Sequence, residues 1–177
     1  IIAIIMYVPA AQGDAETMPS ELRRRIHTPF TPGLDLPPAF REVGLREAGD
    51  AFTHAMAIAG KEGAGTLVWV RRFDLIEFAV VLEPEEPLAT ARRAHFAGMC
   101  ALFDALAVHA PPDKIIQFGW PDAIVVDGGL VAGAQLGWPQ AAAENAVPSW
   151  LVFGAMVRAV IMGAGDPGAR PEAASLE

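Results

Sequence analysis

The sequence is short of cysteine, lysine and long apolar runs. Its single cysteine, Cys100, excludes a disulfide scaffold and is compatible with the reducing cytoplasm, where we expect the protein. Basic residues number 13 against 21 acidic ones, and only Lys61 and Lys114 are lysines, so the net charge of −8 argues against a nucleic-acid partner. The apolar run Ile1–Val8 is far shorter than the roughly 20 residues that a membrane helix needs, so we expect no membrane partner.

Apolar residues are abundant instead. Hydrophobic residues make up 53% of the 177 positions and charged residues 19%, which predicts a globular domain rather than a disordered chain. We expect a proline-rich, irregular lead-in at 1–39 with a short helix at Ser20–Ile26, a domain at 40–162, and a disordered tail or linker at 163–177. No basic segment precedes the run Ile1–Val8, so it is a poor signal peptide. Because the chain also lacks a starting methionine, we interpret this run as the beginning of a fragment or a mis-started N-terminus, with a buried strand as the alternative.

Apolar periodicity predicts the elements of the domain. Asp50 is a good N-cap for a helix that Gly60 ends, and Asp127-Gly128 between two apolar runs is typical of a hairpin turn. We expect one further helix at Leu88–Leu106, and strands at Arg41–Arg46, Thr66–Arg72, Glu77–Leu82, Ile115–Val126 (interrupted), Leu130–Leu136 and Ser149–Ile161. These elements predict an α+β fold, with a mixed, largely antiparallel sheet of about six strands and the helices packed on one face.

Two stretches combine residue types that suit a binding site. Three glycines within Gly60–Gly65 would let backbone N–H groups approach an anion, although the stretch also suits a plain turn between a helix and a strand. In Trp120-Pro121-Asp122 the proline indicates a bend in a strand, and the Asp122 carboxylate could bind Mg²⁺ or orient an amine. The alternative for this stretch is a turn that ends a strand and buries Trp120.

The histidines and the cysteine are interpreted as structural. His54, His95 and His109 share no metal-ligand spacing, so we predict no metal ligands. Cys100 lies in the middle of the long predicted helix beside Met99, which favours a buried structural thiol over a nucleophile.

The order of these elements and motifs resembles the biotin/lipoate protein ligase superfamily over about residues 40–162. The matching stretches are Gly60–Trp69, Glu77–Pro84, Phe118–Ile124, Gly128–Gly133 and Trp150–Gly154. The divergent bacterial biotin/lipoate A/B protein ligase family has similar Gly-Ala-Gly-Thr-Leu-Val-Trp and Trp-Pro-Asp-Ala-Ile strings.

The resemblance implies an ATP-dependent ligase. A carboxylic acid such as biotin or lipoate attacks the α-phosphate of ATP to give an acyl-adenylate, and a lysine of a biotinyl or lipoyl carrier protein then attacks the adenylate. ATP, Mg²⁺ and the acid are the implied ligands, and Asp122 and Lys61 the implied catalytic residues. The implied ligand-binding residues are Gly63, Ala64, Gly65, Thr66, Trp69, Arg71, Trp120, Gly129 and Gly133. The sequence gives no oligomeric state.

The sequence departs from the family pattern in its charged residues. The family's glycine loop is rich in arginine, whereas Lys61 is the only cation of Gly60–Gly65. Asp122 stands at the family's Asn position, and Ala123 stands at its Asp position.

The sharpest departure is in the hairpin. The family has a lysine there that contacts the acid carboxylate and the α-phosphate, but the candidate positions hold Gly129 and Leu130. Arg158 is one candidate to replace it. Two alternatives therefore stay open: a non-catalytic module that binds an acyl ligand or a carrier, and an ATP-independent lipoyl or octanoyl transferase with Cys100 as the only thiol.

Overall fold

The computed structural model describes residues 33–110 and 112–159. The run Ile1–Val8, the helix predicted at Ser20–Ile26 and the tail predicted at 163–177 lie outside the described residues. The division into lead-in, domain and tail therefore stays a prediction. No helix within the described ranges is long and apolar enough to cross a membrane.

The described residues form seven strands: β1 Arg41–Leu45, β2 Thr66–Val70, β3 Leu75–Leu82, β4 Ile116–Gly119, β5 Ala123–Val126, β6 Gly129–Gly137 and β7 Leu151–Arg158. They make one sheet in the order β1-β2-β3-β7-β6-β5-β4, in which only β1 and β2 run parallel. The predicted α+β fold with a mixed, largely antiparallel sheet is thus confirmed. The extra strand arises because the chain turns back at Trp120-Pro121-Asp122, so the segment predicted as one interrupted strand forms both β4 and β5.

Helix α1, Ala51–Glu62, precedes β2. Asp50 caps it as predicted, since its Oδ1 accepts a 2.7 Å hydrogen bond from the Thr53 N–H. The helix continues past Gly60 and ends at Gly63, whose φ of 76° lies in the left-handed region.

Two helices replace the single helix predicted at Leu88–Leu106: α2 Leu88–Ala91 and α3 Ala94–His109. The chain turns between them at Arg92 and Arg93. The Arg92 guanidinium lies over the Trp138 ring, 4.8 Å from its centroid, and pairs with Glu144. Trp138 and Glu144 lie about 50 residues later in the chain. Because the turn is stabilised by these distant residues, the local apolar periodicity could not predict it.

Helices α1 and α3 lie on opposite faces of the sheet, which corrects the expectation of a single covered face. α3 packs on the face that carries Leu67 and Trp69, whereas α1 packs on the face that carries Val68 and Val70. Successive residues of a strand point to opposite faces, so the burial of every residue in β2 requires cover on both sides.

Glycines let α1 lie close to the sheet. A Cβ built at Gly154 would lie 2.5 Å from the Phe52 ring, and one built at Gly137 would lie 2.8 Å from the same ring. Phe52 belongs to the first turn of α1, and beyond its ring the α1 face of the sheet opens into a cleft.

Candidate functional site

The cleft on the α1 face has a volume of about 490 Å³. Strands β3, β7 and β6 form its floor, the Phe52 ring forms one wall, and the turn before β5 forms another. A largely apolar cleft of this size with a few polar groups is typical of a small-molecule site. We call it the α1-face cleft, and its lining includes Phe52, Leu75, Glu77, Asp122, Leu130, Gly133, Gln135, Gly154, Met156 and Arg158.

A cation and an exposed carboxylate lie on the β6 side of this cleft. Arg158, at the end of β7, donates from Nη1 to the Leu130 carbonyl oxygen at 3.1 Å, so its guanidinium lies against the first residues of β6. Asp122 has an exposed side chain, and its carbonyl oxygen accepts a 2.9 Å hydrogen bond from the Ala134 N–H. This bond fixes the turn that carries Asp122 against β6.

Glu77 is the buried carboxylate of the cleft, with 4% of its surface exposed. Its Oε1 accepts a 2.7 Å hydrogen bond from the N–H of Ala51, the first residue of α1. A helix N-terminus stabilises a carboxylate, because its N–H groups have no partners within the helix and carry a partial positive charge. Sequence reasoning missed Glu77. A lone carboxylate inside the otherwise apolar run Leu75–Leu82 could have indicated it, since buried charges need partners.

Gly133 is the predicted ligand-binding residue that lines the cleft. A Cβ built there would have the Asp122 carbonyl oxygen as its nearest neighbour, at 3.6 Å, so this part of the floor has room. Gly129 lies four residues earlier, buried at the start of β6 and outside the lining. The structure thus gathers Asp122 and Gly133 from the predicted set.

The glycine-rich stretch Gly60–Gly65, which we call the glycine loop, lies near the end of β3 that is remote from the cleft. The Gly65 N–H donates to the Val81 carbonyl oxygen at 3.0 Å, and Val81 is four residues beyond Glu77. At ~3.4 Å per residue, the loop is therefore about 14 Å along the strand from the cleft carboxylate. Lys61 is exposed at the C-terminal end of α1. Five of the predicted site residues therefore lie outside the cleft lining: Lys61, Gly63, Ala64, Gly65 and Thr66.

Trp69 and Arg71 are directed to the α3 face. Trp69 is buried there and donates from Nε1 to Glu42 Oε1 at 2.7 Å, and the Arg71 guanidinium lies over its ring at 5.7 Å. Arg72 instead pairs with Asp74 at 2.7 Å in the turn between β2 and β3, and this hydrogen bond lowers the pKa of Asp74. That turn directly precedes Leu75, which lines the cleft. The β2–β3 turn, and not the glycine loop, therefore carries an arginine at the end of the sheet where the cleft lies.

Trp120 is exposed by 78%, which corrects the alternative of a buried tryptophan in this turn. Its ring stacks on Phe96 of α3, with centroids 5.1 Å apart and planes 8° apart. The Trp120–Pro121 peptide bond is cis. Asp122 borders the cleft, whereas Trp120 does not line it.

Lys114 and Cys100 lie apart from the cleft. Lys114 pairs with Asp127 of the β5–β6 turn at 2.8 Å. Cys100 is exposed on α3, on the opposite side of the sheet, which corrects the expectation of a buried thiol. Within the described residues, no three His, Cys, Asp or Glu side chains are grouped so that they could hold a metal ion.

Comparisons with known proteins agree with this fold. The model of the biotin/lipoate A/B protein ligase family matches residues 36–177. A biotin protein ligase-like protein of unknown function from Silicibacter sp. TM1040 superimposes with a TM-score of 0.68 and 26% identity, over 80% of this chain and 60% of that one. Biotin protein ligase from Aquifex aeolicus superimposes with a TM-score of 0.50 and 15% identity, over 77% and 58% of the two chains, and shows a likeness of fold alone. No curated protein sequence matches significantly.

The chain therefore spans about three-fifths of the length of these two structures. The family match extends from before β1 to the end of the sequence and includes every strand and helix described above. The resemblance drawn from the sequence motifs is confirmed, and the chain belongs to the biotin/lipoate A/B protein ligase family.

Proposed function

We propose that this chain catalyses ATP-dependent ligation of a small carboxylic acid, of the biotin or lipoate type, to a lysine of a carrier protein. A carboxylate oxygen of the acid attacks the α-phosphorus of ATP, and pyrophosphate leaves. The lysine amine of the carrier then attacks the acyl carbon and loses a proton, and AMP leaves. We place the reaction in the cytoplasm.

The observation that carries the proposal is the hydrogen bond from Arg158 to the Leu130 carbonyl oxygen. Leu130 is one of the two positions that could correspond to the family's hairpin lysine. Arg158 supplies a cation to this point from a different strand. Because a guanidinium can contact two oxygens of a carboxylate or phosphate at once, it can stabilise the charge that develops where the acid meets the α-phosphate.

Asp122 supplies the negative charge at the same side of the cleft. We assign to it the role of orienting the carrier amine or of sharing a Mg²⁺ ion with ATP phosphates. Mg²⁺ keeps several waters and is bound in such sites through one or two carboxylates together with phosphate oxygens, so a single carboxylate fits a phosphate-held ion. The floor at Gly133 leaves space for the acyl chain.

A non-catalytic acyl-binding module is the second candidate. It is favoured by the positions of both lysines, since Lys61 and Lys114 lie outside the cleft. The transferase alternative loses support, because Cys100 is on the helix that covers the opposite face of the sheet.

ATP–pyrophosphate exchange with biotin, lipoate and octanoate tests the proposal. We expect exchange with at least one acid, and a rate about 100-fold lower for Arg158→Leu, because the variant lacks the cation at the reacting atoms. Arg46→Leu is the matched control, since Arg46 is exposed and outside the cleft. Melting temperatures verify that each variant is folded. Absence of exchange with every acid, or an unchanged rate in Arg158→Leu, would contradict the proposal.

A further inference from the structure

Met156 is a bulky, exposed side chain in the middle of the cleft floor. Its surface is 42% exposed, whereas the other β7 residues apart from Arg158 are buried. Successive residues of a strand point to opposite faces, so the cleft side of β7 presents Gly154, Met156 and Arg158 in one row. The Phe52 ring covers Gly154, since a Cβ built there would lie 2.5 Å from it. Met156 therefore stands between the covered end of this row and the cation of the cleft.

The β3 side of Met156 gives a ligand little room. Its partner in register on β3 is Glu77, which is 4% exposed and accepts the hydrogen bond from the Ala51 N–H. The N-terminus of α1 thus covers the floor at this point. A chain that extends from Arg158 towards Phe52 has to pass Met156 on its other side.

The β6 side of Met156 is open. Its partner in register there is Gly133. Apart from its neighbours in the chain, a Cβ built at Gly133 would have one described atom within 4 Å, the Asp122 carbonyl oxygen, so the Met156 side chain does not lie over Gly133. We call the strip of floor over Gly133, bounded by Met156 on one side and by the Asp122 turn on the other, the Gly133 lane. It leaves vacant one row of side chains, which is ~4.8 Å wide.

The Gly133 lane has the width of a single methylene chain. Non-bonded carbon atoms approach to about 3.5–4.0 Å, so a straight chain fits a lane that is ~4.8 Å wide. A ring carries atoms side by side and needs more width. Because Phe52 and the N-terminus of α1 cover the floor on two sides of Met156, its side chain makes way for a ring only by turning outwards into water. That movement exposes apolar surface, which is unfavourable.

We propose that Met156 sets the width of the α1-face cleft and selects an acid with a straight, unbranched tail. The inference rests on the proposed function, since that function places the carboxylate of the acid beside Arg158. The tail then runs along the Gly133 lane in contact with the Met156 thioether, whose flexibility and polarisability suit an apolar chain. An acid with a ring at the end of its chain is rejected, because the ring and Met156 compete for the same space. Of the three acids in the exchange assay, octanoate has this straight tail.

Calorimetric binding without ATP tests the inference. The probes are octanoate, biotin and 5-cyclohexylpentanoate, an acid with an apolar ring and more apolar surface than octanoate. We expect octanoate to bind to the wild-type chain ~10-fold or more tightly than either ring-bearing acid, because only its tail fits beside Met156. Equal or tighter binding of 5-cyclohexylpentanoate would overturn the inference, since apolar area and not width would then decide the affinity.

Met156→Ala tests the residue itself. The truncation joins the space above β7 to the Gly133 lane, so we expect 5-cyclohexylpentanoate to bind ~10-fold or more tightly than it binds to the wild type. Octanoate should gain nothing, because it loses the thioether contact. Met156→Leu keeps the volume of the side chain and should keep the wild-type preference. Val108→Ala is the control, since Val108 is an exposed apolar residue outside the cleft. An equal gain for both acids in Met156→Ala would show that Met156 restricts entry and does not set the width.

The two proposals fail in different ways. Pyrophosphate exchange together with equal binding of straight and ring-bearing acids would refute the role of Met156 and leave the ligase function standing. A preference for octanoate that Met156→Ala abolishes, without exchange, would refute the ligase function and support the role of Met156. If Met156→Ala does not fold, the wild-type comparison of octanoate with 5-cyclohexylpentanoate decides.

Discussion

At the scale of single residues, charged side chains in this protein bond to backbone groups at defined points. Arg158 donates to the Leu130 carbonyl oxygen, and Glu77 accepts from the Ala51 N–H. Hydrogen bonds with one charged partner are stronger than neutral ones, so they fix the side chain that a ligand would meet. The positions of these two charged side chains therefore depend on contacts with a different strand or helix from the one that carries them.

Asp127 shows the same behaviour in the β5–β6 turn. Its Oδ1 accepts from the Ile115 N–H at 3.1 Å, and its Oδ2 accepts from Lys114 Nζ at 2.8 Å. The hydrogen bond from Lys114 is the main cause that lowers the pKa of Asp127 below its ordinary value of 3.8. A carboxyl group with a lowered folded-state pKa stabilises the protein fully above its unfolded pKa, and this contribution is lost as the pH falls through the folded pKa.

Asp127→Asn should therefore destabilise the protein in a pH-dependent manner. Asparagine tolerates the left-handed φ of 49° at this position, so the variant chiefly removes the charge. We expect its melting temperature to lie below that of the wild type at neutral pH, and the difference to shrink as the pH falls below 3.8. Asp104→Asn on the exposed side of α3 is the control. A difference that is constant with pH would show that the charge is not responsible.

At the scale of elements, the glycine loop has a structural role at the end of the sheet remote from the cleft. Gly65 has a φ of 78°, and a Cβ built there would lie 2.2 Å from the Ala39 carbonyl oxygen. Gly128, in the β5–β6 turn, also has a positive φ of 85°, but a Cβ there would meet nothing within 4 Å. Comparing alanine variants of the two glycines therefore distinguishes two contributions to the free energy of unfolding: the backbone strain of a positive φ, and the clash of a Cβ with a neighbouring backbone oxygen.

Gly65→Ala should consequently destabilise the chain more than Gly128→Ala. We expect the free energy of unfolding to fall by about 1–2 kcal/mol for Gly128→Ala, which is the cost of a left-handed alanine. We expect a loss of ~3 kcal/mol or more for Gly65→Ala, because a backbone oxygen must also move. Urea unfolding measures both values. Similar losses in the two variants would contradict the close packing of Gly65 against Ala39.

The elements that sequence could predict are those fixed by local chemistry. The Asp50 cap and the Asp127-Gly128 turn depend on a few adjacent residues, and both form as expected. The location of the glycine loop depends on the pairing of Leu67 with Val80, which brings residues from different segments together. The break between α2 and α3 likewise depends on Trp138 and Glu144, far along the chain.

The candidate site divides in the same way. The Trp-Pro-Asp and hairpin motifs led to Asp122 and Gly133, because family motifs preserve local sequence. Glu77 belongs to no such motif, and its importance depends on α1 meeting β3 in the folded chain. The expectation of one covered face was wrong, since a strand that is buried on both sides has an unbroken apolar run with no alternation from which to assign faces.

At the scale of the whole molecule, the sheet separates two environments. Its α3 face holds the larger apolar cluster, which includes Leu102, Phe78 and Phe153. Its α1 face carries a smaller cluster, based on alanines of α1 and valines of the strands, and then the cleft. Substitutions on the two faces should accordingly affect stability and ligand binding separately.

Gly133→Val and Leu102→Ala form a pair that tests this separation. Gly133 has no positive φ and has space above it, and valine suits a strand, so we expect the valine variant to melt within a few degrees of the wild type. Its side chain would stand on the cleft floor and weaken acid binding ~10-fold or more.

Leu102 is fully buried on α3, and its truncation to alanine should cost about 2–5 kcal/mol of folding free energy. The remaining folded protein should bind the acid as tightly as the wild type, because Leu102 does not line the cleft. Thermal melts and calorimetry at a temperature where both variants are folded measure the two effects, and equal weakening of binding in both would show that the two faces act as one unit.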